Sequence, residues 1–217
     1  MSSAERTLAA IEDAGVVAVI RMDTPERLPD VVAALVEAGI RALEVTMTVP
    51  GAIEHIRRTA ATLPDGFVLG AGTVTDADTV HRAIDAGASF IVSPVFRRAV
   101  MDAALARGAA VAPGCLTPTE ILDAWDSGAR LVKVFPATAL GPGYLKDIHG
   151  PMPHVRLMPT GGVTVDNAGE WIAAGAVAVG VGSSLLDRTA IAEGRYEVIV
   201  ERGRRMVANV RRARGQA

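Results

Sequence analysis

Lys133 sits in the run Leu131-Val132-Lys133-Val134-Phe135-Pro136, an apolar stretch with one amine in its middle. The alternation of a strand puts Leu131, Lys133 and Phe135 on one face and the two valines on the other. The valines suit a covering layer of helices, so the lysine is expected to point inward. Burial disfavours the charged form of an amine. A neutral primary amine can condense with a ketone, and the resulting iminium accepts electrons. Arginine cannot do this, and of 22 basic residues only Lys133 and Lys146 are lysines. The same position would also suit a lysine paired with a carboxylate, or one holding a substrate anion as a point charge.

Glu44 is the second candidate. In Leu43-Glu44-Val45-Thr46-Met47, alternation sets Glu44 and Thr46 against Leu43, Val45 and Met47. A carboxyl group facing the same interior as an amine can relay protons while an imine forms and hydrolyses. It could equally be a structural ion pair with Arg21 or Lys133. Two glycine turns follow, Pro159-Thr160-Gly161-Gly162 and Gly180-Val181-Gly182-Ser183-Ser184. Glycine lets main chain approach an anion closely. Backbone amides at two consecutive strand ends, with a helix N-terminus behind them, make a phosphate site.

Elements that could position these residues recur along the chain. Short β-branched runs, a Gly, Pro or Thr turn, and a helical pattern alternate as in βαβ units. The expected strands are Val16–Arg21, Ala42–Met47, Phe67–Ala71, Phe90–Ser93, Ala110–Ala112, Leu131–Phe135, Arg156–Pro159 and Val177–Val181. Helical patterns cover Thr24–Ala38, Val49–Thr62, Asp76–Ala86, Arg97–Ala106, Pro118–Asp126 and Val165–Ala174, with one further helix before the first strand and one at the C-terminus. Eight units in 217 residues favour a closed (β/α)8 TIM barrel in a single α/β domain over residues 1–217. No P-loop or complete dinucleotide fingerprint argues for an open sheet. In a barrel the reactive groups lie at C-terminal strand ends.

Composition excludes other classes. The formal charge of −2 gives no basic footprint for nucleic acid. The longest apolar runs, such as Val16–Ile20, are too short to span a membrane. The first residues lack the order of a signal peptide. Cys115, the only cysteine, can form no intrachain disulfide, which suits a reducing cytoplasm. Without a partner histidine it reads as a small buried filler. His55, His81, His149 and His154 show no zinc-ligand spacing and read as surface residues, so no metal or cofactor is expected. The C-terminal arginines (202, 204, 205, 211, 212 and 214) read as the solvated face of a helix that packs through Met206, Val207 and Val210.

At these motifs the sequence resembles the 2-keto-3-deoxy-6-phosphogluconate (KDPG) aldolase family, which includes 4-hydroxy-2-oxoglutarate aldolases. The matching segments are Gly39-Ile40-Arg41-Ala42-Leu43-Glu44-Val45-Thr46, Gly70-Ala71-Gly72-Thr73-Val74, Phe90-Ile91-Val92-Ser93-Pro94, Pro113-Gly114-Cys115-Leu116-Thr117-Pro118-Thr119-Glu120, Lys133-Val134-Phe135-Pro136, Pro159-Thr160-Gly161-Gly162-Val163 and Val179-Gly180-Val181-Gly182-Ser183. The resemblance implies a homotrimeric barrel that cleaves KDPG to pyruvate and glyceraldehyde 3-phosphate without a metal. It makes Lys133 the Schiff-base lysine and Glu44 the acid/base. It puts Thr73 on the pyruvate carboxylate, Pro94 and Phe135 beside the pyruvyl methyl, and Thr160 in the active-site wall. Gly161, Gly162, Gly182 and Ser183 would receive the phosphate. Well-known members of the family carry an arginine four residues after the glutamate, where it grips the carboxylate, and this chain has Thr48 there. Arg21 is the residue expected to supply that charge. Rival readings are a related 2-keto acid aldolase acting on 4-hydroxy-2-oxoglutarate or on the galactonate epimer of KDPG, a metal-free phosphosugar isomerase or epimerase, and a barrel that binds phosphometabolites without turning them over.

Overall fold

The computed structural model describes residues 1–216. Nine parallel strands occur among them: β1 (Val16–Ile20), β2 (Ala42–Thr46), β3 (Val68–Gly72), β4 (Phe90–Val92), β5 (Ala110–Ala112), β6 (Gly114–Cys115), β7 (Val132–Val134), β8 (Leu157–Pro159) and β9 (Val179–Val181). The helices are α1 (Ser3–Ala14), α2 (Leu28–Glu37), α3 (Ala52–Thr62), α4 (Ala77–Asp85), α5 (Arg98–Ala106), α6 (Pro118–Asp126), α7 (Gly143–His149), α8 (Ala168–Ala173), α9 (Arg188–Glu193) and α10 (Glu197–Ala213). The expected strands are all present, each within two residues of its expected ends. The expected helix over 24–38 begins instead as a 3-10 turn, Pro25–Arg27, before α2.

Local chemistry sets the boundaries. Ser2 and Glu5 form a reciprocal capping box at the start of α1, and Gly15 ends that helix in the left-handed region at φ 69°. Thr117 and Glu120 repeat the box at α6, where Pro118 occupies the first turn. Strands β1 and β2 are buried at every position, as parallel strands covered on both faces must be.

The strands form a curled parallel sheet in two hydrogen-bonded sections. One runs β5-β4-β3-β2-β1-β9 and the other β6-β7-β8. A parallel bridge between Thr160 and Gly180 links β8 to β9. On the far side the chain crosses from β5 to β6 through Pro113. That residue has no N–H for the ladder, but its carbonyl accepts from the Lys133 amide at 2.9 Å.

Two separate apolar clusters show which way the strands face. Val16, Ala18, Ile20, Leu43, Val45, Val132, Val134, Val179 and Val181 belong to the cluster shared with the helices. Val17, Ala42, Phe90, Val92, Ala110, Ala112, Leu131, Met158 and Ala178 form the other on the inner face, joined there by Leu8 and Ile11 of α1. Glycine on that inner face is a matter of room. A Cβ on Gly70 would lie 2.3 Å from the Phe90 ring. Gly70→Ala is therefore expected to destabilise the protein by about 1–3 kcal/mol through overpacking. A denaturant midpoint equal to that of the parent protein would refute this account.

The Arg-rich helix α10 is not simply a solvated face. Arg214 donates to the carbonyls of Glu12, Asp13 and Val177, tying the end of α10 to the loops around Gly15. Arg202 turns inward as well, onto the loop after β9. Met206 and Val210 are buried as expected. His149 is half-buried and bonded to the Val155 carbonyl, so it too departs from a plain surface role. No helix of the described residues is long and apolar enough to cross a membrane.

Candidate active site

Lys133 occupies the middle of β7 with Val132 and Val134 at 0 % exposure on the helix side. Its own exposure is 5 %, and Nζ lies 4.8 Å from the centroid of the Phe135 ring. The ring face offers an ammonium some stabilisation without a counter-charge. In register, Lys133 pairs with Gly114 of β6 and Met158 of β8.

Glu44 comes from β2, paired with Val19 of β1 and Gly70 of β3. It is 1 % exposed, and neither carboxyl oxygen has a hydrogen-bond partner among the described residues. Burial pushes its carboxyl above the ordinary range, opposed first by the positive charge of Lys133 and then by that of Arg21. The carboxyl occupies space that Gly72 leaves open: a Cβ there would lie 1.8 Å from Oε1. Sequence reasoning did not single out Gly72 for this, although glycine on an inward strand position signals close approach.

Arg21 follows β1. Its guanidinium donates to the Thr73 hydroxyl at 3.4 Å, and both residues sit at the strand ends above Glu44. Thr73 takes φ 59°, the one non-glycine residue in the left-handed region among those described. For a β-branched residue this conformation is strained, and such strain gathers at functional sites. Thr48 is exposed and exchanges a 2.7 Å hydrogen bond with Thr46. It carries no charge, so Arg21 is the cation beside Glu44 besides Lys133.

A cavity of about 360 Å3 opens beside this group, and Arg21, Phe135, Thr160, Gly161, Gly162, Gly182 and Ser183 all line it. Positive φ values of 89° and 74° at Gly161 and Gly162 require glycine in that turn. Gly180 is needed for another reason, since a Cβ there would meet the Thr160 hydroxyl at 2.2 Å. Lys133, Glu44 and Thr73 do not themselves line the cavity; Lys133 lies against the lining residue Phe135, and Thr73 against the lining residue Arg21. Pro94 does not line the cavity. Its carbonyl packs against Gly114, where a Cβ would come within 2.3 Å.

Arg188, also in the cavity lining, was not picked out from the sequence. The helix N-terminus expected behind the phosphate loops is already occupied. Asp187 caps α9 by accepting from the Ala190 amide at 2.9 Å, and Arg202 holds the same carboxylate at 2.8 Å. Arg202 also donates to the Ser184 carbonyl, so it fixes the loop that carries Gly182 and Ser183. Cys115 faces the helices, is 2 % exposed, and burial raises its thiol to about 12. A thiol in that state is inert, as expected of a filler.

A buried lysine and a buried carboxyl on the inner face of a parallel α/β sheet, beside a glycine-lined cavity, suit an enzyme that acts on a carbonyl group. The model of the KDPG and KHG aldolase family matches residues 8–202, and the chain belongs to that family. It is a lyase. It is 36% identical over 208 residues to the 2-dehydro-3-deoxy-phosphogluconate aldolase of Dickeya dadantii, covering 95% of this chain and 96% of that one. To the 2-dehydro-3-deoxy-6-phosphogalactonate aldolase of Escherichia coli K12 it is 34% identical over 170 residues, covering 78% and 83%. Among solved structures it is similar to the KDPG aldolase of Legionella pneumophila, in which pyruvate was captured as a covalent carbinolamine. The TM-score is 0.84 at 32% identity, with 90% and 95% of the two chains covered.

Proposed function

We propose that this protein is a Schiff-base aldolase that cleaves KDPG to pyruvate and glyceraldehyde 3-phosphate, with Lys133 as the nucleophile. The observation that carries this reading is the burial of Lys133 and Glu44 on one inner face, where the positive charge of Lys133 acts on the Glu44 carboxyl. The relative from Dickeya dadantii, named as a phosphogluconate aldolase, aligns over 95% of this chain and supports the gluconate reading, and the phosphogalactonate aldolase of Escherichia coli K12 keeps the galactonate epimer as its alternative.

In this mechanism Lys133 Nζ attacks the C2 ketone, and Glu44 passes a proton to the departing hydroxyl as the carbinolamine loses water. The iminium then takes up the electron pair of the C3–C4 bond as the C4 hydroxyl gives up its proton and leaves as an aldehyde. Protonation of the enamine at C3 and hydrolysis return pyruvate and the free amine. Arg21 and Thr73 hold the C1 carboxylate in place of the arginine absent at Thr48. Phe135 walls the methyl side, Thr160 lines the cavity, and Gly161, Gly162, Gly182 and Ser183 receive the phosphate.

The imine reading has a direct test. Incubation with pyruvate and borohydride should add one reduced pyruvyl group, and peptide mapping should place it on Lys133. Folded protein that takes up no adduct would turn the assignment toward an imine-free isomerase or epimerase.

The same reading takes residues 1–217 as one aldolase domain in which the two sheet sections close as an eight-stranded barrel, with β5 and β6 acting as one strand and α1 as an added helix beneath. It also takes the enzyme as a homotrimer. Apart from Met1, the exposed large apolar residues among those described are Val95, Leu105, Leu116 and Leu122. All four fall between the end of β4 and α6, a concentration that suits burial against a second copy. Light scattering at micromolar concentration should report three times the 22.5 kDa chain mass. A single-chain mass would remove the trimer.

A further inference from the structure

Two cations line the cavity, and no acidic residue does. Arg21 is committed to the Glu44 side, through Thr73 and through its charge on the carboxyl. Arg188 has no hydrogen bond or ion pair within the protein among the described residues. The carboxylate next to it in sequence, Asp187, is already shared by Arg202 and the Ala190 amide. An arginine kept clear of its neighbouring acid, at the edge of a cavity, is available to a ligand. Its companions there are main-chain amides in the same condition. The N–H groups of Gly162 and Ser183 find no acceptor among the described residues, while those of Thr164 and Val165 are taken by Asn167 and Ser184. Main-chain donors supply hydrogen bonds but no net charge, and the N-terminus of α9 is already capped by Asp187.

We propose that Arg188 grips the terminal phosphate of the substrate and makes the enzyme selective for phosphorylated substrates over unphosphorylated ones. This rests on the aldolase reading above and adds to it a specificity-determining residue. A guanidinium can place two parallel N–H donors on a phosphate, and such charge-assisted pairs are among the strong hydrogen bonds. The terminal phosphate of a KDPG-like substrate would then lie between Arg188 and the glycine amides. The carboxylate at the other end would lie at Arg21.

The experiment runs the reaction in the condensing direction with pyruvate and either glyceraldehyde 3-phosphate or glyceraldehyde, acceptors that differ in the phosphate alone. Arg188→Gln should lower kcat/KM for the phosphorylated acceptor by about 10- to 100-fold. It should leave the unphosphorylated acceptor within about twofold and the borohydride-trapped pyruvate adduct unchanged. Equal losses on both acceptors, or no loss on either, would overturn the proposal. Inorganic phosphate titrated calorimetrically into both proteins reads the same contact without turnover. Its affinity should drop roughly tenfold in the variant, and identical binding would count against Arg188. Failure of wild-type protein to trap pyruvate would instead strike the aldolase reading, and the phosphate titration would still decide the role of Arg188.

Discussion

Lys133→Met is expected to reduce retro-aldol turnover on the order of 10^4-fold or more, with the fold intact. Methionine matches the length of the lysine stem and fills an apolar site well. Val132 and Val134 on the opposite face are untouched, so a far-ultraviolet spectrum like that of the parent should confirm folding. The chemistry has no substitute amine: Lys146, the other lysine, lies on exposed surface in α7. Lys133→Arg separates charge from nucleophilicity. It keeps a cation beside Glu44 and Phe135 but can form no imine, so its turnover should be as low as that of the methionine variant. Pyruvate release by Lys133→Arg above about one part in a hundred of the parent rate would make the lysine an electrostatic aid, well short of the losses that follow removal of a nucleophile.

Glu44→Gln has the second largest expected effect. Removing a positioned acid/base costs about 10^2- to 10^4-fold in turnover. Lys133 remains, so the variant should still accumulate the reduced pyruvyl adduct, only more slowly. A kcat within a few-fold of the parent would reassign Glu44 to a structural ion pair. Stability gives an independent reading. Burial raises the Glu44 carboxyl in the folded state, so between its unfolded and folded values the native protein holds a proton that the unfolded chain has lost. Stability from this group is therefore fully present below the unfolded value and is lost as pH rises through the folded one. Glutamine does not titrate. Urea midpoints of Glu44→Gln should lack that decline, and parallel pH profiles for the two proteins would contradict the burial argument.

The inward residues were legible because strand alternation is a two-residue code, and here both faces of each strand are packed. Val132 and Val134 could only belong to the helix side, which left Lys133 no other direction. Leu43 and Val45 did the same for Glu44. Helix ends were nearly as clear wherever a side chain or glycine closes the backbone, as Pro118–Asp126 shows. Helix α7 was not expected, because Gly141-Pro142-Gly143 reads as loop, although Pro142 in fact stands at the cap of the helix. The arginines were harder. Periodicity can say which face of α10 is polar, but a guanidinium on a long stem reaches beyond its own face. Arg202 and Arg214 thus bond main chain across element boundaries, and nothing in a helical pattern encodes those partners. Arg188 escaped for the complementary reason: its role depends on which acid is already engaged, and only the fold decides that Asp187 belongs to Arg202.

Leu8 and Ile11 of α1 give the inner face of the sheet a lid at the end away from the chemistry. In the closed barrel proposed above, this makes the interior a cup with a cork in its base, screened from water on that side. An imine is lost to hydrolysis whenever water reaches it out of turn, so a drilled base would be felt at the rim. Shortening Leu8 and Ile11 would turn the cup into a leaking tube, uncoupling pyruvate capture from carbon–carbon cleavage even though neither residue lies near Lys133 in sequence.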